Sequence, residues 1–215
     1  MQITKKTLFI KAFYVAATIT VSLASCSASA APSQAQLQFF DQLKALCGKA
    51  FAGKTTVDNQ PSPAFSGHMV MHVRDCSDTQ IQVPFVVGEN RSRTWIITKT
   101  VTGLKLQHQH KHEDGTDDQS TLYGGHTSAA GWAEAQSFPA DDYSKNLFIK
   151  TKTPQSVGNT WHMYLYPNES FSYRLTREGR EFRVDFDLSN EVALPKPNWG
   201  ADIPRSLQDA EFGGR

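Results

Sequence analysis

The sequence predicts an all-β chain, an antiparallel meander β-barrel of about eight to ten strands that follows one N-terminal α-helix. From Gly67 to about residue 190, apolar side chains recur at every second position, and short turn sequences separate these runs. Only residues 33–49 show the apolar spacing of a helix of any length. A closed barrel leaves no unpaired strand edge, so we expect a barrel rather than an open sheet.

Residues 1–30 have the pattern of an export signal. Three lysines precede an uncharged apolar stretch over residues 12–24, which is shorter than the roughly 20 residues of a membrane-spanning helix. Two cleavage sites remain open. Residues 23–26, Leu-Ala-Ser-Cys, resemble the lipobox of bacterial lipoproteins, which implies a lipid on Cys26, whereas residues 28–30, Ala-Ser-Ala, suit ordinary signal peptidase. We therefore expect an exported protein that is periplasmic, secreted or anchored to the outer membrane through Cys26.

Composition and charge exclude several classes of protein. The 215 residues suit one domain, and 39% hydrophobic with 20% charged residues excludes a fibrous or wholly disordered chain. Without the three signal lysines, 19 basic side chains face 21 acidic ones. This balance argues against a nucleic-acid-binding protein, because such proteins usually present a basic domain or stripe. We expect a monomer whose partner is a small molecule or a metal ion.

Whichever site is cleaved, Cys47 and Cys76 are the two cysteines that remain available to bond with each other. An oxidising compartment favours a disulfide between them, with two buried free thiols as the alternative. The bond would close a loop of about 30 residues and stabilise the fold by roughly 3 kcal/mol. No Cys-x-x-Cys sequence is present, so we do not expect a redox enzyme.

The remaining chain divides into three parts. Residues 31–66 hold the helix, with Ser33 as its N-cap and Gly48 as its stop, followed by a loop predicted from the Gly, Pro, Asn and Asp content of residues 52–66. Residues 67–190 form the barrel. Residues 191–215 form an extended C-terminal tail, because they contain Pro, Gly and charge but no periodicity.

One unusual segment spans residues 91–125. It contains Arg-Ser-Arg-Thr-Trp, then Leu-x-Leu-x-His-x-His-x-His-Glu-Asp-Gly, then Tyr-Gly-Gly. In this form it is similar to a segment of uncharacterised secreted bacterial proteins, a resemblance that implies no activity. The predicted architecture as a whole resembles the calycin class, which includes the lipocalins.

Inside this segment, Asp114-Gly115 predicts a β-hairpin with a two-residue type I′ turn. That register places Lys111 opposite Asp118, Leu106 opposite Tyr123, and His108 opposite Thr121. An opposite-charge pair across two strands is favourable, which supports the register.

Side chains two residues apart share one face of a strand, so His108, His110 and His112 continue the apolar face of the two preceding leucines toward a barrel mouth. Neutral imidazole is the commonest metal ligand. His108 and His112 are roughly 13 Å apart along a flat strand, so one ion would take an adjacent pair. The remaining ligand would come from elsewhere, with these candidates: Asp117, His126, His72 and His162. Zn²⁺ or a similar divalent ion is the candidate cofactor, and an organic ligand would meet the three histidines and Tyr123.

Three functions remain open. The first is a non-catalytic barrel in the bacterial envelope that binds a small ligand or a divalent metal. The second is a metal-dependent enzyme with Glu113 as general base, although strand parity directs Glu113 away from the histidine face. The third is a structural envelope protein without a small-molecule site, in which the histidines form a solvated strand end.

Overall fold

The computed structural model describes residues 1–2 and 31–201. The export signal, Cys26 and the end of the C-terminal tail therefore lie outside the described residues. No helix in the described part is long and apolar enough to cross a membrane.

The described chain contains two α-helices and eleven strands. The helices are α1 (Gln34–Lys44) and α2 (Asp142–Lys150). The strands are β1 (Ala50–Asp58), β2 (Met69–His72), β3 (Asp75–Cys76), β4 (Gln80–Val87), β5 (Asn90–Thr100), β6 (Gly103–His110), β7 (Tyr123–His126), β8 (Ala135–Pro139), β9 (Thr160–Tyr166), β10 (Ser170–Arg177) and β11 (Arg180–Val192). Short 3₁₀ helices lie at Pro63–Phe65 and Pro154–Gly158.

All strands pair antiparallel in one sheet of order β7-β6-β5-β4-β2-β1-β11-β10-β9-β8, with the short β3 beside β4. Sequential strands are neighbours, and β1 pairs with β11, which joins the two ends of the meander. The sheet curls until β7 approaches β8. The predicted antiparallel meander barrel is confirmed, as is its N-terminal helix.

Helix α2 completes the barrel where β7 and β8 do not pair. The Asp141 N–H donates to the Gly124 carbonyl oxygen at 3.0 Å, and the Ser144 hydroxyl accepts from the Gly124 N–H at 2.6 Å. A Cβ at Gly124 would lie 1.8 Å from the Leu106 carbonyl oxygen. One at Gly125 would lie equally close to the carbonyl oxygen of Pro139. The two glycines of Tyr-Gly-Gly therefore permit the close backbone approach that closes the barrel.

The expectation that no second helix exists was wrong, because α2 covers Asp142–Lys150. The Asp141 carboxylate caps it by accepting from the Ser144 N–H at 2.9 Å. Among its nine residues only Ser144 and Phe148 are buried. A helix that is this short and weakly amphipathic leaves almost no helical spacing of apolar residues in the sequence.

The predicted loop over residues 52–66 begins too early, because β1 extends to Asp58. Its pairing with β11 has two register shifts, and Gly53 lies under the Phe186 ring. The strand therefore lacks regular apolar alternation, and composition alone made it look like a loop. The segment after β1 contains the 3₁₀ helix Pro63–Phe65.

Helix α1 closes one end of the barrel. Ser33 caps it as predicted, by accepting from the Gln36 N–H at 3.1 Å. Phe39, Phe40 and Leu43 are fully buried, and the Lys99 ammonium lies 4.4 Å from the Phe40 ring centroid. Because Lys99 stands near the end of β5, the beginning of β5 lies at the opposite, open end of the barrel.

Aromatic and aliphatic side chains fill most of the interior. The largest fully buried ones come from α1 and from strands on every side, among them Phe51, Phe85, Phe138, Trp161, Phe171 and Phe186. Cys47 and Cys76 form the predicted disulfide, with Cα atoms 6.3 Å apart, which ties the chain after α1 to β3. A small space remains toward the open end.

Residues 193–201 run as a strap along the outer face of the barrel. The Trp199 N–H donates to the Arg91 carbonyl oxygen at 3.1 Å. The Asn198 amide donates to the Thr94 hydroxyl at 2.9 Å. This part of the predicted extended tail therefore packs on β5.

Candidate functional site

A cavity of about 120 Å³ lies at the open end of the barrel. It sits between the first residues of β5 and the last residues of β6, beside Phe65 of the first 3₁₀ helix. Six of its lining side chains carry the chemistry or cover the opening: Phe65, Arg93, His108, His110, Tyr123 and Tyr173.

His108 lies inside the barrel, as strand parity predicted, and is only 4% exposed. Its Nδ1 is 3.1 Å from the Tyr123 carbonyl oxygen, and its Nε2 is 2.8 Å from the Tyr173 hydroxyl. A carbonyl oxygen only accepts, so Nδ1 carries the hydrogen and Nε2 accepts from Tyr173. Burial lowers the pKa of His108 to about 3, which keeps the ring neutral at neutral pH.

His110 is the second histidine at the cavity. Its Nε2 lies 3.0 Å from the Tyr123 hydroxyl. Burial, assisted by the positive charge of Arg93, lowers the pKa of His110 to about 4. Burial raises the pKa of Tyr123 to about 12, and the pKa of Tyr173 is also raised. The two histidines and two tyrosines are therefore all neutral near pH 7.

Arg93 was missed by the sequence reasoning. Its guanidinium carbon lies 5.1 Å from the Phe65 ring centroid, and its Nη1 is buried without a hydrogen-bond partner. Burial lowers the pKa of Arg93, yet a guanidinium stays protonated in proteins. The available signal was its strand parity with Trp95, which faces the barrel interior.

The other predicted ligands are not brought to this cavity. His112 is exposed in the hairpin loop, where its Nε2 lies 3.8 Å from a carboxylate oxygen of Asp118. The carboxylate of Asp117 lies 3.0 Å from the Lys111 ammonium, and His126 is exposed at the far end of β7. Across residues 1–2 and 31–201, no group of three or more His, Cys, Asp or Glu side chains is placed to hold a metal ion.

No family model, no curated protein and no solved structure matches this chain. What the cavity does must therefore be inferred from its own geometry and charge.

The hairpin that follows β6 explains why His112 does not lie on the inner face of the barrel with His108 and His110. The predicted two-residue turn was wrong, because the loop contains three residues, Glu113–Gly115. The His112 N–H donates to the Thr116 carbonyl oxygen at 2.8 Å, and Gly115 has a φ of +87°, as in a type I turn followed by a bulge. The Asp114 carboxylate holds this loop by accepting from the Thr116 N–H at 2.9 Å.

The observed register differs accordingly from the predicted one. Lys111 bridges to Asp117 instead of Asp118, and His108 stands opposite Tyr123 instead of Thr121. This pairing brings the Tyr123 ring onto His108, with centroids 4.7 Å apart and planes at 14°. The register thus places a tyrosine beside the histidines at the cavity.

Glu113, the general base of the enzyme hypothesis, is exposed in the hairpin loop. It does not line the cavity that contains His108 and His110. The orientation expected from strand parity, away from the histidines, agrees with this placement.

A larger open groove of about 1090 Å³ lies outside the barrel, between the C-terminal strap and β3–β4. The Arg and Lys side chains that line it already have carboxylate partners: Asp75 for Arg74, Asp117 for Lys111 and Glu89 for Lys196. The smaller cavity differs, because the Arg93 guanidinium there has no carboxylate partner among the described residues. We therefore regard the cavity at the open end as the candidate site.

Proposed function

We propose that this protein is an exported, non-catalytic binding protein of the bacterial envelope, and that it holds a small organic molecule at the open end of its barrel. The observation that supports this most is the cavity itself, where buried polar groups converge inside a barrel whose core is largely aromatic and aliphatic. The signal-like residues 1–30 and the Cys47–Cys76 disulfide favour export.

The walls of the cavity have the character of a small-molecule site, which combines apolar surface with a few placed polar groups. The Trp95 ring stacks between Phe85, at 4.9 Å, and Tyr173, at 4.6 Å. The volume of about 120 Å³ is well below the roughly 300–1,000 Å³ of sites for drug-sized ligands. The ligand is therefore a compact molecule of few non-hydrogen atoms.

The hydrogen bonds of the histidines favour an organic ligand over a metal ion. Both ring nitrogens of His108 are engaged, one with the Tyr123 carbonyl and one with the Tyr173 hydroxyl. Coordination would require breaking a buried hydrogen bond, and the positive charge of Arg93 beside His110 opposes a divalent cation.

The proposal is tested with the mature, oxidised protein, isotopically labelled and screened by amide-resolved NMR. The probes are small carboxylates, amines, amides and alcohols of up to about ten non-hydrogen atoms, with Zn²⁺ alone as a separate titration. At least one organic probe should give saturable shifts at residues 91–95 and 107–111. Phe65→Ala, which removes the aromatic cover of the cavity, should weaken that binding by about fivefold or more, and Leu194→Ala in the outer groove should not.

Three outcomes would overturn the proposal. No organic probe shifts the resonances at the open end, or the shifts fall in the groove and respond to Leu194→Ala, or only Zn²⁺ binds stoichiometrically at His108 and His110. The last result would restore the metal-binding hypothesis.

A further inference from the structure

We infer that the ligand of this cavity is a small carboxylate, and that the Arg93 guanidinium is the group that holds its carboxylate oxygens. This inference rests on the proposed function. The observation behind it is that Arg93 lines a ligand-sized cavity and has no carboxylate partner among the described residues, while its Nη1 is buried without a hydrogen-bond partner.

Three of the seven described arginines lack a carboxylate partner, but Arg91 donates to the Pro197 carbonyl oxygen and Arg177 to the Asn159 amide oxygen. Four arginines of the described chain lie within ion-pair distance of a carboxylate: Arg74 with Asp75, Arg174 with Glu181, Arg180 with Asp58 and Arg183 with Asp185. Arg93 has the Phe65 ring beside it and no carboxylate partner among the described residues. A partly buried cation without a counter-ion is costly, so an anion that entered the cavity would gain both a salt bridge and hydrogen bonds.

The other lining groups leave this charge uncompensated. His108 and His110 are neutral because burial lowers the pKa of each, to about 3 and about 4 respectively. Burial raises the pKa of Tyr123 to about 12, so no phenolate forms. The negative charge of Asp118 acts on His110 and Tyr123 and works to raise the pKa of each. Its carboxylate, however, lies 3.8 Å from His112, is not part of the cavity wall and forms no ion pair with Arg93.

The shape of the site favours a carboxylate over a phosphate. A guanidinium matches a planar carboxylate through two parallel hydrogen bonds, and one cation balances one carboxylate charge. A neutral His110 that donates to the Tyr123 oxygen leaves the Tyr123 hydroxyl hydrogen free for a ligand oxygen. Phe65, Phe85 and Trp95 also line the cavity, and their aromatic carbons would border a short alkyl group or a small ring.

The test compares each carboxylate with its amide, which has the same shape and no charge. Propionate, isobutyrate and benzoate are titrated beside propionamide, isobutyramide and benzamide, followed by NMR and calorimetry. Inorganic phosphate serves as the second anion. The wild-type protein should bind its best carboxylate at least about tenfold more tightly than the matching amide and more tightly than phosphate.

Variants then assign the preference to one residue. Arg93→Gln should bring the ratio of carboxylate to amide affinity close to one. Arg93→Lys should retain a reduced preference, because an ammonium keeps the charge but loses the two-pronged contact. Arg174→Gln, on the outer face and paired with Glu181, is the matched control and should leave the ratio unchanged.

Equal affinity for carboxylates and amides would overturn the inference, and so would a carboxylate preference that survives Arg93→Gln. Phosphate that binds most tightly of all probes, and depends on Arg93, would also overturn it. All three results leave small-molecule binding in place. Failure of every organic probe at the open end would instead count against the proposed function itself.

Discussion

The side chains of His108 and Tyr173 meet inside the barrel, where Nε2 of the histidine lies 2.8 Å from the tyrosine hydroxyl. This hydrogen bond connects β6 with β10 across the interior, next to the candidate cavity. Since Nδ1 of the same ring donates to the Tyr123 carbonyl, His108 is held as one neutral tautomer. A group held neutral by burial couples the stability of the barrel to pH.

Acidification should destabilise the barrel through His108. Its pKa is about 3 in the folded protein, against the ordinary value of 6.5, so below pH 6.5 the unfolded chain binds a proton that the folded chain does not. Stability should fall between pH 6.5 and pH 3 and stay flat above this window with respect to this group. When the pH is lowered from 7.5 to 4.5, the free energy of unfolding should fall in both proteins. The fall in His108→Gln should be smaller than that in the wild type by roughly 2–3 kcal/mol.

Urea unfolding at the two pH values measures this difference. His126→Gln, which changes an exposed histidine on β7, is the control and should follow the wild type. An identical pH dependence in wild type and His108→Gln would contradict the prediction.

Removal of the Arg93 charge should stabilise the ligand-free protein. Arg93→Met keeps an unbranched, flexible stem and removes the charge together with a buried donor without a partner, so the free energy of unfolding should rise by about 1–2 kcal/mol. The same variant should lose its preference for carboxylates. Thermal and urea unfolding measure the first effect, with Arg174→Met as the control that breaks an outer ion pair. A clear loss of stability in Arg93→Met would show that Arg93 has a structural role.

Carboxylate affinity should be nearly constant between pH 6 and pH 9. Within this range none of the five ionisable lining groups, Arg93, His108, His110, Tyr123 and Tyr173, changes its charge. The exposed His112 and Asp118 lie in the hairpin nearby. We expect the dissociation constant of propionate to vary less than about twofold, as measured by calorimetry at constant ionic strength. An affinity that falls about tenfold per pH unit above 6.5 would instead identify a protonated histidine as the anion-binding group.

Loss of the disulfide should lower the free energy of unfolding by more than either cysteine side chain contributes through packing. Cys47 and Cys76 close a loop with a sequence separation of 29, which corresponds to about 3–4 kcal/mol in the chain-entropy description. The double variant Cys47→Ser with Cys76→Ser should lower the free energy of unfolding by that amount. Wild-type protein unfolded in a reducing buffer should give the same result. An unchanged free energy would mean that the bond does not restrict the unfolded chain.

Much of the fold was predictable because it depends on local periodicity. Alternation placed His108 and His110 on the inner face of β6, and Ser33 marked the beginning of α1. Weakly periodic elements were missed, namely β1 with its two register shifts and α2 with two buried residues. Asp114-Gly115 predicted a turn at the right place, but the contact between Asp114 and Thr116 selected a three-residue loop.

The sequence by itself determined the barrel class and the inward direction of His108 and His110, and it favoured the pairing of Cys47 with Cys76. Tertiary structure alone decided that the cavity contains an arginine without a partner. Arg93 stands opposite His110 on the neighbouring strand, but it also shares its cavity with Tyr123 of β7 and Tyr173 of β10, which lie farther along the chain. Whether a charge finds a counter-ion depends on which distant strands curl together, and strand periodicity carries no information about that distance.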